Sequence, residues 1–586
     1  MLLAATKAAR CGVSSEQALL GEGLMSEEDY YRALARHLHA PYFCGELAIS
    51  PDTVPAKAVA SGIAPLAPNK LGLRVVLAPR GEAINLLLTA AEQRRLPSTF
   101  VICSPQRMAA ILRARMGETL SHEAANGLDL VDPTLSARTG ASGGQLAFAI
   151  AALGVAALIA STLPHVLTLL VSVVLWLIFA AAVAIRLTAM AANRAPIPAP
   201  PLAETDLPIY SIIVPLYEEA GGVPRLIAAL DAIDYPRGKL DIKLVVEKRD
   251  TATLTAIARM RLPARYDVIV APPGDPSTKP RALNVALPFV RGQYVVVYDA
   301  EDSPAPNQLR DAAARFAADP GIDCLQARLV IDNIDDCVLT RMFAIEYCVL
   351  FDIINPGLAA LGAPLPLGGT SNHFRAQVLR AVGGWDAWNV TEDADLGLRL
   401  ALFGRRVSAL DSDTYEEAPV ELAAWLTQRS RWLKGWMQTL IVHSRHPGQM
   451  VRRMGLVRAL AIMILLSSTV LSSLFGPMLL AAALWRTFGP VWLGAPSAID
   501  TWSTVITLLL LITGSQATLI GAFIALGNRR LGRLYPLLPQ FLAYHALIAV
   551  AAWMALIDFA WRPFYWAKTD HGKARTSVRL LTPATV

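Results

Sequence analysis

Five long apolar segments constrain this chain more than any other feature of its sequence. They are Leu146–Leu163, Val166–Leu187, Leu456–Trp485, Ser503–Leu526 and Leu538–Trp561. A helix needs about 20 consecutive apolar residues to cross the hydrocarbon core of a bilayer, and each segment approaches or exceeds that length. Only 17% of the 586 residues are charged, whereas soluble proteins carry roughly 25%. The sequence therefore predicts a membrane protein with soluble regions before, between and after the spans.

The net charge of +6 is modest, and many basic residues lie beside apolar segments. This is the positive-inside bias of membrane proteins, so the charge does not indicate a nucleic-acid partner. The same bias places the central region, the loop near residue 530 and the C-terminal tail in the cytoplasm. Five spans cannot put both the N-terminal region and the tail there. Either Leu456–Trp485, interrupted at Pro477, is not a single span, or Leu538–Trp561 lies in the membrane interface.

The first 35 residues carry charges of both signs and show no signal-peptide pattern. The six cysteines form no Cys-x-x-Cys pair. We therefore expect a reduced, cytoplasmic setting for the soluble regions, with thiols that take no part in chemistry.

Residues 1–135 are predicted to form a small α/β domain of their own. Ser14–Leu20 and Ser26–His39 have the pattern of short amphipathic helices, the second with Ser26 as its N-cap. Leu71–Leu77 and Ala83–Leu88 are predicted as two strands joined by a turn. A polar stretch, Ser136–Gln145, then leads into the first span.

Residues 205–420 alternate between short apolar runs and amphipathic stretches, which predicts a mostly parallel sheet with helices on both faces. The predicted strands are Tyr210–Leu216, Ile242–Glu247, Asp267–Ala271 and Tyr294–Asp299, and the clearest helices are Val223–Ile233 and Lys279–Pro288. In such folds ligands bind beyond the carboxyl ends of the strands. Asp250 and Asp299 both fall there.

An acidic cluster, Asp299-Ala300-Glu301-Asp302, follows the last of these strands. Hard divalent cations such as Mg²⁺ or Mn²⁺ prefer oxygen ligands and usually bridge to substrate phosphates, so Asp299 and Glu301 are candidate ligands of one ion. The alternative is an acidic surface turn. Upstream, Lys279 could set a cation against a diphosphate and Asn284 could lie near a nucleotide, or the two could belong to an ordinary helix start.

Three further patterns suggest binding or catalysis. Gly368-Gly369 begins a turn that lets backbone approach a ligand. In Thr391-Glu392-Asp393, the last acid is a candidate general base or part of a capped helix start. Gln428, Arg431 and Trp432 lie at i, i+3 and i+4, so a helix presents them on one face, where they suit a sugar ring and its hydroxyls. A membrane-interface helix explains the tryptophan equally well. His373 is expected to be structural.

In order and spacing these motifs resemble the processive, membrane-embedded family-2 glycosyltransferases, the class of bacterial cellulose synthase and its β-glucan-forming relatives. The resemblance covers about residues 205–575. It implies a GT-A-type α/β domain (nucleotide-diphospho-sugar transferase) at 205–420, embedded between transmembrane helices at 146–189 and 456–561. An interfacial helix carrying the Gln-x-x-Arg-Trp motif is implied at 421–450, and a gating element in the tail, 562–586.

The resemblance also assigns roles to individual residues. The nucleotide-sugar contacts are expected from Glu247, Asp250, Lys279, Asn284 and Asp299, the metal ligands are Asp299 and Glu301, the catalytic base is Asp393, and the acceptor contacts are Gly368, Gly369, Glu392, Gln428, Arg431 and Trp432. The first acidic motif is Glu247-Lys-Arg-Asp250 in this chain, whereas many relatives have two adjacent acids there. The second acidic motif, Asp299–Asp302, has Glu301 where the relatives often have aspartate.

The implied function is inverting transfer from a UDP-sugar, with UDP-glucose as the expected donor, to a growing β-linked polysaccharide that is exported. The implied location is a bacterial inner membrane, with a cytoplasmic catalytic domain. Two rival functions stay open: glycosylation of a lipid carrier without polymerisation, and an inactive transferase domain serving as receptor or scaffold.

The N-terminal region weakly resembles the N-terminal domain of type II secretion ATPases, a module that binds a cyclic dinucleotide in some relatives. The matching residues are Ala18–Met25 and Tyr31–His39. This resemblance implies a regulatory input through a cyclic dinucleotide. The alternative is a docking or purely structural domain.

Overall fold

The computed structural model describes residues 2–44, 47–93, 95–194, 198–488, 498–568, 572 and 574–577. It divides into two compact units. The first unit comprises 1–127, 198–323 and 370–387; the second comprises 128–197, 324–369 and 388–586. Most of the predicted N-terminal domain therefore shares a unit with the first half of the predicted transferase domain. Within the predicted tail, 569–571, 573 and 578–586 lie outside the described residues.

The N-terminal part of the chain forms seven helices and three strands in its described residues. These are α1 Leu2–Cys11, α2 Ser15–Gly21, α3 Glu27–His37, α4 Pro55–Ser61, β1 Ile63–Pro65, β2 Val75–Leu77, α5 Glu82–Glu92, β3 Phe100–Ile102, α6 Pro105–Arg115 and α7 Gly117–Val131. Ser14 and Ser26 cap α2 and α3, as the sequence predicts. The three strands form one sheet in which β2 pairs antiparallel with β1 and parallel with β3.

The prediction of a second strand at Ala83–Leu88 is wrong, because those residues lie in helix α5. A six-residue run with five apolar residues and one asparagine, Asn85, fits a buried strand or a helix equally well by periodicity. Glu82, Ala83 and the leucines favour helix intrinsically. The partner that β2 needs is supplied instead by β1 and β3.

The next part of the chain consists of two long helices followed by the α/β region. Its elements are α8 Gly143–Thr162, α9 Pro164–Ala192, β4 Tyr210–Leu216, α10 Val223–Asp231, β5 Leu240–Glu247, α11 Thr251–Arg259, β6 Tyr266–Ala271, α12 Lys279–Ala286, β7 Tyr294–Val297, β8 Ser303–Pro304, α13 Gln308–Ala318, β9 Ile322–Ile331, α14 Val338–Cys348, α15 Asn355–Ala360, β10 Asn372–Arg375, α16 Ala376–Ala381, α17 Glu392–Leu402 and β11 Arg406–Glu416. A π-helical segment, Val349–Ile354, joins α14 to α15.

The sheet of the first unit has the strand order β6-β5-β4-β7-β10. The first four strands are parallel, and β10 runs antiparallel to β7, with Asn372 opposite Val297. All eight residues of β5 and six of the seven in β4 are buried. The four predicted parallel strands are therefore present, and β10 makes the sheet mixed. Strands buried on both faces are read in sequence as continuous apolar runs.

The C-terminal part of the second unit is helical, with α18 Leu422–Ser444, α19 Pro447–Met454, α20 Leu456–Phe488, α21 Ala498–Asn528 and α22 Leu538–Trp561. Among the described residues, six helices are long and apolar enough to cross a membrane. Five of them coincide with the predicted spans, and the sixth is Val338–Ala360. The most apolar 18-residue window of Val338–Ala360 is 61% buried, whereas the corresponding windows of α8 and α9 contain no buried residue. Protein rather than lipid therefore surrounds most of Val338–Ala360.

Helices α18 and α22 lie side by side and run in the same direction. Near the start of both, the indole Nε1 of Trp425 donates to the Tyr544 hydroxyl at 3.1 Å. Farther along, Lys434 Nζ lies 2.5 Å from Asp558 Oδ2, and Gln438 Nε2 donates to the carbonyl of Pro563 at 3.1 Å. Between these polar contacts, Leu433 and Met437 of α18 pack with Ala551, Ala552 and Ala555 of α22 in one apolar cluster.

Candidate active site

The acidic turn after β7 is held in shape by the buried carboxylate of Asp302. Its Oδ2 accepts the backbone N–H of Asp299 at 2.7 Å and also bonds the hydroxyl of Thr370. Asp299 itself is partly exposed and forms an ion pair with Lys279, whose Nζ lies 2.5 Å from Oδ1. Asp302 therefore acts on the conformation of the turn, and the carboxylate of Asp299 is oriented towards a cation.

The donor set of this turn fits an ion that is shared with a substrate. Within the described ranges, no group of three or more His, Cys, Asp or Glu side chains is arranged to hold a metal. Mg²⁺ usually keeps several waters and is bound through one or two carboxylates plus substrate phosphates. Asp299 and Glu301 suit that arrangement, and the ammonium beside Asp299 shows that this carboxylate already attracts positive charge.

Asp250, the first predicted nucleotide contact, caps a helix. Its Oδ1 accepts the N–H of Thr253 at 3.1 Å at the start of α11, and its Oδ2 accepts the N–H of Glu218 at 2.5 Å. The side chain thus joins the loop after β4 to α11. Both carboxylate oxygens are used by the backbone, and the residue is 6% exposed.

Two other predicted nucleotide contacts are tied into the protein itself. Glu247, at the end of β5, accepts a hydrogen bond at 2.7 Å from Arg281, which is fully buried. The amide of Asn284 donates to the carbonyls of Ala124 and Trp385 and accepts the N–H of Trp385. These contacts favour structural roles for Glu247 and Asn284. The importance of Arg281 was missed, because an arginine at a helix start carries no signal in sequence.

Helix α17 presents the predicted base. Asp393 is half-buried and accepts the N–H of Ala394 at 2.8 Å, whereas its neighbour Glu392 is 4% exposed. Asp395, two residues further along α17, is fully buried and paired with Arg399 and His443. Burial alone would raise the pKa of Asp395, but these two partners hold the pKa of its carboxyl below the ordinary value.

Helix α18 packs directly against the segment that carries the predicted base. Gln438 Oε1 accepts the N–H of Val390 at 3.0 Å, and Asn389 donates to Thr439 at 3.0 Å. Nε2 of His443 lies 2.9 Å from Asp395 Oδ1. The structure therefore brings the segment that contains Thr391, Glu392 and Asp393 against the C-terminal half of the helix that carries the Gln-x-x-Arg-Trp motif.

The side chains of the Gln-x-x-Arg-Trp motif differ in their surroundings. Gln428 is 8% exposed, and among the described residues its Oε1 finds no hydrogen-bond partner. The guanidinium of Arg431 lies 4.9 Å from the ring centre of Trp566, and the indole N–H of Trp566 is likewise buried without a partner in the described chain. Buried polar atoms are usually satisfied, so each such exception needs an explanation. A polar ligand beside α18 is one.

Trp432 is half-buried and lies in a stack of aromatic and cationic groups. The guanidinium of Arg429 lies 4.6 Å from its ring centre and 4.5 Å from that of Phe343. Glu346 holds Arg429 in a bidentate ion pair at 2.7 and 2.6 Å. One side of the Trp432 ring is thus fixed by the protein.

The loop at Gly368 is packed too tightly for a side chain. A Cβ at Gly368 would lie 3.0 Å from the ring of Phe351 and 3.2 Å from Leu329, and the Gly368 N–H donates to Gln326 at 2.8 Å. Internal packing is thus sufficient reason for glycine here. Gly369 follows it in the chain.

His373 lies in the core of the first unit. Its Nδ1 is 2.7 Å from the Tyr210 hydroxyl and its Nε2 is 3.2 Å from Gln308 Oε1. Burial lowers its pKa to about 3. This position is structural, as expected.

Two family models match the chain. One, described as glycosyl transferase family 2, matches residues 211–366, and the other, glycosyl transferase family group 2, matches residues 294–526. This chain carries a family 2 glycosyltransferase domain. Its α/β region has the GT-A-type fold that the sequence predicts, with a sheet that is mixed rather than wholly parallel.

The proteins that are similar to this chain differ in the products that their names state. The chain is 26% identical over 414 residues to the beta-monoglucosyldiacylglycerol synthase of Synechocystis, covering 68% of this chain and 84% of that protein. It is 26% identical over 236 residues to a probable glucomannan 4-beta-mannosyltransferase of Arabidopsis thaliana, covering 39% and 43%. A mannosyltransferase structure from Pyrobaculum calidifontis, in complex with GDP-Man and Mn²⁺, is 18% identical with a TM-score of 0.42, covering 66% of this chain and 98% of that one.

Proposed function

We propose that this glycosyltransferase is an inverting enzyme that polymerises sugar from a UDP-sugar, UDP-glucose being the expected donor, into a β-linked polysaccharide. The observation that carries the proposal is the pattern of exposure on α17. Glu392 and Asp395 are buried and Asp393 remains half-buried, on a segment fixed against α18 by Gln438 and His443. A general base needs both a fixed position and access to the acceptor.

On the donor side, Lys279 and Asp299 are the residues proposed to meet the diphosphate. Asp299 and Glu301 would hold Mg²⁺ or Mn²⁺, which when bound neutralises charge on the departing diphosphate. The Lys279 ammonium, 2.5 Å from Asp299, supplies positive charge at the same turn. Asp250 remains a proposed nucleotide contact through its position after β5. Glu247, at the end of β5, is proposed to support the nucleotide site through Arg281, and Asn284 acts through the backbone that it holds.

On the acceptor side, Asp393 takes the proton of the acceptor hydroxyl, which attacks the anomeric carbon opposite the leaving diphosphate. Gln428 and Arg431 are proposed to bind sugar hydroxyls, Trp432 a ring face, and Glu392, Gly368 and Gly369 to shape the wall beside them. The tail, with Trp566 over Arg431, is the proposed gating element. The indole N–H of Trp566 and the Oε1 of Gln428, which have no partner among the described residues, support a site that binds a polar chain.

A lipid-glycosylating enzyme is the second candidate function. The match to the Synechocystis glycolipid synthase covers 84% of that protein, whereas the match to the Arabidopsis polysaccharide synthase covers 43%. The partner-free Oε1 of Gln428 favours the polymer, because the resemblance assigns the motif of this residue to the binding of a saccharide acceptor.

The proposed location is a bacterial inner membrane, with the transferase domain in the cytoplasm and the polymer exported through the helices of the second unit. A cyclic dinucleotide at the N-terminal domain is the proposed regulator. The basic residues beside the apolar helices support this orientation.

Product sizing decides between the two functions. Purified protein in lipid vesicles is incubated with labelled UDP-glucose and a divalent cation, and the products are separated into lipid extract and polymer. We expect label in long chains, lost in Asp393→Asn but retained in the matched variant Asp335→Asn, whose side chain is 44% exposed. Label confined to lipids carrying one sugar would sink polymerisation, and unchanged transfer in Asp393→Asn would refute the base.

A further inference from the structure

The N-terminal domain holds helix α12 by one buried and one partly buried hydrogen bond. Arg281 Nη1 donates to the Ser121 hydroxyl of α7 at 3.0 Å and to the carbonyl of Pro272 at 2.8 Å. One turn later, Asn284 Nδ2 donates to the carbonyl of Ala124, also in α7, at 2.9 Å. These contacts lie within the first unit. The register of α12 is therefore set by α7.

The same helix begins at the donor side. Lys279 is its first residue, and its ammonium lies 2.5 Å from Asp299 in the acidic turn. Arg281 also reaches the end of β5, where its Nη2 donates to Glu247 at 2.7 Å. A single buried guanidinium thus joins the N-terminal domain, β5 and the helix that bears Lys279.

Helix α7 is closely packed against the segment that leads into α12. The Ser121 hydroxyl donates to the carbonyl of Pro273 at 2.9 Å while its oxygen accepts from Arg281. A Cβ on Gly274 would overlap the Ser121 hydroxyl and lie 3.0 Å from Arg281 Nη1. Close-packed interiors transmit such displacements instead of absorbing them. A shift of α7 therefore has to move the segment that leads into α12.

Further contacts fasten the N-terminal domain to β6, beside this junction. Arg113 forms a bidentate pair with Asp267 at 3.2 and 3.1 Å, and Gln106 donates to the carbonyls of Ala264 and Tyr266. Burial would raise the pKa of Asp267, but Lys243 and Arg113 hold the pKa of its carboxyl at about 2. The domain is thus anchored by charged, buried groups on one side of α12.

We propose that Arg281 is a positioning residue through which the N-terminal domain sets the place of Lys279 and so the affinity of the enzyme for its nucleotide sugar. The inference rests on the proposed function, in which Lys279 meets the diphosphate. Arg281 does not itself contact the donor, since it is fully buried between protein groups. A regulator of the N-terminal domain would act on donor binding rather than on the acceptor side.

Ser121→Ala in the full-length protein tests this proposal. It removes a hydroxyl more than a hundred residues from the donor side in sequence, and Ser121→Thr restores it. We expect Ser121→Ala to raise the KM and the Kd for UDP-glucose roughly threefold to tenfold while kcat changes less than about twofold, with recovery in Ser121→Thr. The matched control is Ser26→Ala, which removes the exposed cap of α3 in the same domain.

A second variant and the wild type make the outcomes separable. Gly274→Ala crowds the same junction from the other side and is expected to weaken donor binding as well. Unchanged Kd in both Ser121→Ala and Gly274→Ala would overturn the relay while leaving the proposed function intact, as would an equal loss in Ser26→Ala. A wild-type protein that binds no UDP-sugar would overturn both.

Discussion

Gly435 of α18 lies against Thr391, the residue that precedes α17, so closely that a Cβ on the glycine would lie 2.7 Å from the Cβ of the threonine. Real Cβ atoms do not approach so near, and the hydroxyl and methyl groups of Thr391 would lie even closer to the added atom. The contact fixes the distance between the helix of the Gln-x-x-Arg-Trp motif and the segment that carries Asp393.

We therefore expect Gly435→Ala to push α18 away from the proposed base. Displacement of a catalytic group by about 1 Å can cost on the order of 100-fold, so kcat should fall roughly 10- to 100-fold. The Kd for UDP-glucose should stay within about twofold. The matched control is Gly448→Ala, where nothing lies within 4 Å of the added Cβ. Equal kcat in both variants would show that this contact does not position Asp393.

Lys434→Met is predicted to release the tail from α18. The ammonium of Lys434 lies 2.5 Å from Asp558. It also donates hydrogen bonds to the carbonyls of Tyr565, at 2.7 Å, and Arg562, at 3.2 Å. Methionine fills a similar volume but donates no hydrogen bond. We expect faster trypsin cleavage in the tail and about tenfold slower transfer, since bonds to a charged group contribute roughly 1.5–3 kcal/mol. Lys70→Met, at an exposed site, should change neither rate.

Much of the α/β region could be predicted because its strands are continuous buried runs. The boundaries of β4 match the prediction, and β5 and β6 begin only one or two residues earlier than predicted. Helix α5 was misassigned, since a run as short as Ala83–Leu88 carries no period that separates strand from helix. The residue types of the candidate site were also visible in sequence.

The tertiary roles of those residues were not visible. Asp250 has the position expected of a nucleotide contact, yet its carboxylate is used by backbone N–H groups of the loop after β4 and of the first turn of α11. Asn284 is used by the carbonyls of Ala124 and Trp385, one of them from the N-terminal domain. Such partners are distant in sequence, and no spacing rule marks them. Arg281 was overlooked for the same reason, because its partners Ser121 and Glu247 are distant from it in sequence.

Acid should destabilise the protein through His373. Because burial lowers its pKa to about 3, whereas the unfolded chain has a value near 6.5, the unfolded state binds a proton that the folded state does not. Stability is then complete above about pH 6.5 and falls by up to about 1.4 kcal/mol per pH unit below it, down to pH 3. We expect His373→Gln to show a smaller drop in melting temperature from pH 7 to pH 5.

The control for this experiment is His37→Gln, because His37 is exposed on α3. That variant should keep the wild-type pH dependence. If His373→Gln also kept it, the buried imidazole would not account for acid sensitivity.

Removal of divalent cations is predicted to stop transfer. EDTA should abolish sugar incorporation and added Mn²⁺ or Mg²⁺ should restore it, since the departing diphosphate needs its charge neutralised. Glu301→Gln should raise the cation concentration for half-maximal rate about tenfold or more, whereas Asp335→Asn should not. Full activity after dialysis against the chelator would contradict a cation at Asp299 and Glu301.

The parallel course of α18 and α22 predicts on which side of the membrane the tail lies. Lys434 and Gln438 hold Asp558 and Pro563, and beyond them the N–H groups of Arg575 and Thr576 bond Asp336 in the α/β region. The tail therefore belongs on the side of the transferase domain. If α8 and α9 are one pair of spans and α20 and α21 another, we expect α22 to lie in the interface, which was one of the two alternatives left open by the charge pattern.

Labelling of introduced cysteines with a membrane-impermeant maleimide checks this topology, in a background without Cys11, Cys44 and Cys337, the three native cysteines that are not buried. Arg562→Cys reports on the tail and Asp335→Cys on the transferase side. Phe488→Cys reports on the far end of α20, where Phe488 is 80% exposed. We expect Arg562→Cys to label in the same vesicle orientation as Asp335→Cys and in the opposite one to Phe488→Cys. Labelling of Arg562→Cys together with Phe488→Cys would make α22 a true span and would separate the tail from Arg431, so Trp566 could not act as a gate.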